Sequence, residues 1–184
     1  MKLVRNTGSD RVMDVIHPWF IPGRNIDIVT PAFSLFAFAA MVREMFSLLQ
    51  CRLLLPPVTT ELAVMGSDAD RAARNRLQTR WLASRMVQWI QSKAEVKRAL
   101  GAVPQGAFVI RDGNAQPIQA LLGSLAFSTD GLGLVPGNPL SLIQASETPE
   151  EATLLSQWFD AQWSGLPSDV GAKSELIAFM QSLA

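Results

Sequence analysis

The chain has 184 residues, of which 48% are apolar and 17% charged, and its 16 basic and 16 acidic side chains leave no formal net charge. This composition excludes wholesale disorder, which requires low hydrophobicity and high net charge, and the length suits one domain of ordinary size. The single cysteine and single histidine exclude an internal disulfide, a zinc site of paired cysteines and a cluster of histidines around a metal, so we expect neither metal nor cofactor.

Apolar spacing and turn residues predict alternating helices and strands in the first part of the chain. Residues 25–31 (NIDIVTP) and 51–55 (CRLLL) are short β-rich runs that are typical of buried strands. Ser34 stands where a helix needs a cap. The elements predicted here are a helix over 10–20, a strand over 25–31, a helix over 35–50 and a strand over 51–55.

The second part begins with a polar linker over 59–67 and a long helix over 67–100. Ser67, with Asp68 and Asp70 near the positive end of the helix dipole, predicts the start of that helix, and Gly101 predicts its end. The remaining elements predicted are strands over 107–111 and 117–127 around the turn Asp112-Gly113-Asn114, an irregular loop over 129–141, a strand over 142–145, and helices over 148–163 and 171–184.

Strands separated by helices predict an α/β sandwich with a mixed β-sheet flanked by helices. We divide the chain into a domain over residues 1–165 and a C-terminal helix over 166–184. The longest apolar stretch, residues 32–42, is much shorter than the roughly 20 residues that cross a membrane. Residues 1–11 are polar and lack the apolar core of a signal peptide, so we expect a cytoplasmic protein without a membrane partner.

The charges are sorted along the chain. Residues 1–111 carry 15 of the 16 basic residues and 8 acidic ones, a balance of +7, whereas residues 112–184 carry one basic and 8 acidic residues, a balance of −7. Such asymmetry indicates a surface that faces a polyanion or a matched partner. The alternative is that the two halves pack together and their charges mix on the surface.

Three segments resemble a known family. The stretches NIDIVTPAF at 25–33 and CRLLLP at 51–56 look like the opening of a phospholipase D-like half domain, and GSLAFS at 123–128 is similar to that family's Gly-Ser-x-Asn-Phe-Thr segment. The resemblance implies a phospholipase D-like sandwich: a mixed β-sheet flanked by helices, one long basic helix and C-terminal helices.

The chain departs from that family at its catalytic signature, His-x-Lys followed by Asp. Aligning the hairpin places Gln105 at the His position, Ala107 at the Lys position and Asp112 at the Asp position. Phosphodiester chemistry of this kind needs the His as nucleophile and the Lys to neutralise phosphoryl oxygens. The resemblance therefore implies a catalytically degenerate member with no catalytic residues, whose vestigial cleft near Gln105, Ala107, Asp112 and Ser124 could keep a weak phosphate site.

A closer resemblance is to the phospholipase D-like domain at the N-terminus of large bacterial superfamily-two helicases that are linked to mobile elements and phage defence. The segments that carry it are GSDADR at 66–71 with Asn75, GLGL at 131–134 with PGN at 136–138, and WFD at 158–160. It implies a helicase region or subunit as a partner, to which residues 166–184 could lead. The chain lacks a Walker-type phosphate loop, so any ATPase lies outside these residues.

Arginines crowd the first half of the long predicted helix. The residues predicted to contact nucleic acid are Arg71, Arg74, Asn75, Arg76, Arg80 and Arg85. A basic stripe on a rigid helix suits a phosphate backbone and predicts salt-dependent binding without sequence preference. The alternative is a solvated face, or arginines that pair with the acidic second half. Trp81 and Trp89 could stack on bases, but core packing is the more common fate of such residues on an amphipathic helix, and we expect it for both.

These features favour a non-catalytic module that binds nucleic acid, DNA rather than RNA, and that targets or regulates an associated helicase. The first alternative is a dimerisation or docking module, acting as a homodimer or within a helicase or defence complex. The second is a nuclease or phosphodiesterase, against which the missing His and Lys argue.

Overall fold

Seven short β-rich runs pair into one mixed sheet in the computed structural model, which describes residues 1–57, 76–168 and 170–184. The sheet order is β1-β7-β6-β5-β2-β3-β4, in which β2, β3 and β4 are parallel neighbours and every other pairing is antiparallel. The strands are β1 (Lys2–Val4), β2 (Asn25–Val29), β3 (Gln50–Leu55), β4 (Ala94–Arg98), β5 (Gly106–Arg111), β6 (Pro117–Gly123) and β7 (Ile143–Ala145).

Six helices cover the two faces of this sheet in the described part of the chain. The Ser34 hydroxyl accepts hydrogen bonds from the backbone N–H groups of Phe36 and Ala37, and the Thr148 hydroxyl accepts one from Glu151, so both predicted helix starts are confirmed. The helices are α1 (Val12–Ile16), which continues into a 3-10 turn, α2 (Leu35–Ala40), α3 (Val42–Ser47), α4 (Arg76–Lys93), α5 (Pro149–Gly165) and α6 (Val170–Leu183).

The predicted elements over 35–50 and 117–127 differ from those in the structure. The single helix over 35–50 is wrong, because the backbone of Met41, at φ −123° and ψ 18°, interrupts it between α2 and α3. The strand predicted over 117–127 ends at Gly123, which has φ +128°. A Cβ at Gly123 would lie 2.1 Å from the carbonyl oxygen of Leu142, so the chain turns where only glycine fits.

The predicted long helix is wrong at its C-terminal end. Helix α4 stops at Lys93, and residues 94–98 form β4 at the edge of the sheet, parallel to β3. Ala94 and Val96 of β4 join the buried core, while Glu95 between them is exposed. The predicted start of the helix and the linker over 59–67 lie outside the described residues.

The two faces of the sheet differ in size and in chemistry. The larger core lies under α2, α3, α4 and α6, and Ala172, Leu176 and Met180 bring the C-terminal helix into it. The other face is covered by α5, whose Phe159 and Trp163 pack on a small apolar cluster that includes Ala107. Helix α6 thus packs on the larger core. No helix among the described residues is long and apolar enough to cross a membrane.

Candidate functional site

Helix α4 presents a basic and aromatic outer face. Its 18 residues include four basic and no acidic side chains. Arg80, Trp81, Ser84 and Gln88 are exposed, whereas Leu82, Met86, Trp89 and Ile90 are buried in the core. The helix is therefore anchored along one side and leaves a polar, cationic surface on the other. We call Arg80, Trp81, Ser84, Arg85 and Gln88 the α4 surface.

The two tryptophans of α4 have opposite environments. Trp89 is fully buried, and its indole N–H donates to the carbonyl oxygen of Met45 at 2.9 Å. Trp81 is 56% exposed, so the expectation that it packs in the core is wrong. Residues eight apart on a helix with 3.6 residues per turn differ by about 80° around the axis, which suffices to bury one ring and expose the other.

Arg85 is held in place on this surface. Its guanidinium lies over the ring of Phe46 from α3, 4.4 Å from the ring centre, and its Nη1 donates to the Gln88 Oε1 at 2.8 Å. The Ser84 hydroxyl donates to the backbone carbonyl of Arg80 at 3.0 Å. Of the other residues predicted to contact nucleic acid, Arg76 begins α4, and Arg71, Arg74 and Asn75 lie outside the described residues.

The basic residues of the first half fall into two groups. Arg52 and Arg111 pair with Asp160, and Arg98 pairs with Glu175, so part of the basic excess is neutralised by the acidic second half, as the alternative interpretation expected. Arg80 and Arg85 make no ion pair with any acidic residue in the described ranges. The charge asymmetry of the sequence therefore survives at the α4 surface.

Three of the four residues predicted to line the vestigial cleft lie at one end of the hairpin of β5 and β6, where Gly106 pairs with Gly123, but they face different surroundings. Ala107 is buried beneath α5, and Gln105 lines a mostly apolar groove of about 350 Å³ beside Trp158 and Leu100. Ser124 lines a different cavity of about 80 Å³. Asp112 follows the opposite end of β5 and accepts hydrogen bonds from the backbone N–H groups of Asn114 and Gln116, which is the role of a turn aspartate.

A buried charge cluster at one end of the α5-covered face was not foreseen. Asp27 on β2 is 2% exposed and accepts hydrogen bonds from Arg52 Nε and Nη2 at 2.6 and 2.8 Å and from Arg111 Nε at 2.6 Å. Both guanidinium groups also donate to Oδ1 of Asp160 on α5, at 2.9 and 3.0 Å. Two positive and two negative charges thus balance between α5 and three adjacent strands.

The surroundings of this cluster explain its place in the fold. The Arg52 guanidinium lies over Phe159 and Trp163, at 4.8 and 5.7 Å from the ring centres, and the cluster opens into a cleft of about 460 Å³. On the next strand, Lys97 donates to the carbonyl oxygens of Trp163 and Leu166 at the C-terminal end of α5. A cation at that end complements the helix dipole. These polar contacts orient α5, and the charges that take part in them are neutralised within the fold.

A sequence signal for the cluster exists. Each of three short apolar strands carries one charged residue that faces the same side of the sheet, namely Asp27, Arg52 and Arg111. Charged side chains are almost never fully buried unless they are paired. Reading the three strands as neighbours would have predicted the pairing. Within the described part of the chain, no group of three or more His, Cys, Asp and Glu residues is arranged to hold a metal ion.

Comparison with known proteins supports the fold and leaves the function open. No family model matches the chain, and no curated protein matches it. A polyphosphate kinase from Porphyromonas gingivalis has a similar structure, with a TM-score of 0.52 at 11% identity over 93% of this chain and 26% of that one, so the chain spans about a quarter of its length. A phospholipase D family member, Nuc from Salmonella typhimurium, is matched with a TM-score of 0.43 at 14% identity, over 86% of this chain and 88% of that one.

The predicted fold class is confirmed by the seven-stranded mixed sheet flanked by helices and by its likeness to the solved polyphosphate kinase structure. At 11% identity the likeness concerns the fold alone.

Proposed function

We propose that this chain is a non-catalytic phospholipase D-like module that binds nucleic acid, DNA rather than RNA, through the phosphate backbone, with the α4 surface as its contact. The observation that carries the proposal is the pair Arg80 and Arg85, which stand on a helix without acidic residues while Arg52, Arg98 and Arg111 are neutralised within the fold. Arginines that form no ion pair with an acidic residue of the described ranges are available to phosphates, and they release counterions when they meet them.

The missing catalytic groups support a binding role over an enzymatic one. The position expected for the catalytic Lys is Ala107, which is buried under α5, and Gln105 replaces the nucleophilic His. A retained phosphate site in the vestigial cleft receives little support, because the groove beside Gln105 is mostly apolar. The association with a helicase follows from the sequence resemblance: the module would deliver the motor to its substrate or regulate it there.

The test is fluorescence anisotropy with labelled oligonucleotides over a salt series, comparing Arg80→Glu/Arg85→Glu with the unchanged chain. Each phosphate contact contributes about 0.7–0.9 to the slope of log affinity against log salt, so the double variant should lower that slope by roughly 1.5. Lys2→Glu is the control, because Lys2 is exposed on β1 at the far edge of the sheet from β4.

Binding that weakens in the double variant and persists in Lys2→Glu supports the proposal, provided that far-ultraviolet circular dichroism shows both variants folded. No binding at about 50 mM salt, where electrostatic contacts are least screened, overturns it.

A second candidate is a dimerisation or docking module, favoured by the apolar groove beneath α5. Leu100 and Trp158, which line it, are 82% and 41% exposed, and Leu154 is exposed one turn before Trp158. Apolar patches of this kind mark contact surfaces for other proteins. Sedimentation of the chain over a concentration series should then show self-association that is insensitive to salt and is lost in Leu100→Glu. A chain that stays monomeric at all concentrations excludes the homodimer.

A further inference from the structure

The exposed indole of Trp81 gives the α4 surface a second means of recognition. We infer that this surface takes single-stranded nucleic acid, with an unpaired base stacked on Trp81; this inference rests on the proposed nucleic-acid function. Aromatic platforms beside cationic groups are the usual means by which proteins hold single strands without reading sequence.

Trp81 stands between the two arginines along the helix. Arg80 precedes it directly, and Arg85 follows four residues later on the same face, about 6 Å along the helix axis. Arg85 is fixed by Phe46 and Gln88, so a cation of defined position lies one turn from the ring. A strand whose phosphates meet the arginines would bring a base to the indole between them.

Helix α4, which carries Trp81, is anchored to the core, and a fixed backbone favours stacking. Leu82, Met86 and Ile90 bury the opposite side of α4, and Trp89 ties the helix to Met45 through its indole N–H. Because the backbone that carries Trp81 is already fixed by these contacts, only the side chain has to be ordered when a base stacks on it. Ser84 and Gln88, three and seven residues after Trp81, are exposed polar residues of α4, and no acidic residue of α4 repels a phosphate.

A duplex cannot use this platform. Its bases are stacked on one another, so a double helix presents only phosphates and groove edges to a helix surface. An unpaired base offers a free face, and every base has one, so the contact is tolerant of sequence. The same arginines would therefore bind both forms through phosphate, and Trp81 would add affinity for the single strand alone.

The test compares Trp81→Ala with Trp158→Ala, a matched loss of an exposed tryptophan on the other face of the sheet. Removing a base-stacking ring weakens binding by about 5- to 150-fold. We expect that loss for Trp81→Ala with single-stranded DNA measured by anisotropy, no change with a duplex of the same sequence, and an unchanged salt slope. Trp158→Ala should bind both as the unchanged chain does.

A second readout is tryptophan emission, because the chain has five tryptophans and no tyrosine. Single-stranded DNA should quench the emission of the unchanged chain and of Trp158→Ala, and the quenching should be largely lost in Trp81→Phe. If Trp81→Ala binds single strands as tightly as the unchanged chain, or if the duplex binds equally well, the stacking inference is wrong while phosphate binding stands. If neither form binds at low salt, both proposals fail.

Discussion

Replacing Asp27 by Asn tests whether the buried charge cluster stabilises the fold. Asp27 accepts three hydrogen bonds from two guanidinium groups, and the side chain of Arg111 is only 9% exposed. Asn keeps the shape and removes the charge, which leaves Arg111 buried with Asp160 as its remaining described anion. Breaking a buried ion pair in this way costs about 3–5 kcal/mol, a large share of the 5–15 kcal/mol that holds a typical domain together.

The assay is urea denaturation followed by far-ultraviolet circular dichroism. The midpoint should fall by an amount that corresponds to about 3–5 kcal/mol, while the slope, which reports the surface exposed on unfolding, should stay the same. Asp160→Asn is the control, because the Asp160 side chain is 45% exposed and its ion pairs are partly screened by water. We expect it to cost about 1 kcal/mol or less.

A third variant separates the charge from the packing. Asp27→Leu combined with Arg111→Met removes two buried charges together and keeps the ion pair between Arg52 and Asp160. Apolar replacement of a buried pair is often neutral, so this variant should be more stable than Asp27→Asn. The reasoning is refuted if the free energy of unfolding of Asp27→Asn lies within about 1 kcal/mol of that of the unchanged chain. It is also refuted if Asp160→Asn lowers that free energy as much as Asp27→Asn does.

Three further predictions concern single features. Ser34→Ala should lower the free energy of unfolding by about 1–2 kcal/mol in the same assay, because it removes the cap of α2, whereas exposed Ser182→Ala should change it little. Burial, and to a lesser degree Asp27, raises the pKa of the Cys51 thiol well above its usual range, so stability should fall as pH rises past about 8.5, where the unfolded thiol ionises, and Cys51→Ala should abolish that part of the fall. Incubation with magnesium or manganese should release no product from DNA, RNA or a simple phosphodiester, and turnover that copurifies with the chain would contradict the binding role.

Local chemistry predicted most of the elements. Ser34 and Thr148 mark helix starts because their hydroxyls accept hydrogen bonds from backbone N–H groups. Such a cap involves only a few adjacent residues, so it can be recognised in the sequence. The turn at Asp112 was predicted for the same reason, since its carboxylate holds the hairpin by bonds to residues two and four positions later.

The errors arose where distant residues decide the structure. Residues 94–98 (AEVKR) suit a helix by propensity, yet Ala94 and Val96 face the core because Cys51 and Leu53 of β3 lie beside them in the sheet. The alternation of apolar and polar residues was present, but only the neighbouring strand makes it decisive. Strand β1 was missed because its three residues gain a partner only from β7.

The candidate site was likewise predicted where local sequence decides and missed where distant contacts decide. Arg80 and Arg85 were predicted from their density on one helix, but the exposure of Trp81 required knowing which side of α4 the core occupies. The pairing of Arg52, Arg98 and Arg111 depends on contacts across many residues of sequence, so the sequence alone could not tell neutralised arginines from available ones.

The place of β1 in the sheet has a consequence for synthesis of the chain. Lys2, Leu3 and Val4 are synthesised well before residues 143–145 of β7, with which they pair. At about 5–20 residues per second, a ribosome needs roughly 7–28 seconds to produce the intervening segment. During that time the first strand has no partner, and the hydrogen-bonding edge of β7 is covered only when the two meet. Closure of that edge must therefore come late in folding, and a chain that has lost residues 2–4 would expose β7 as a site for pairing with other copies.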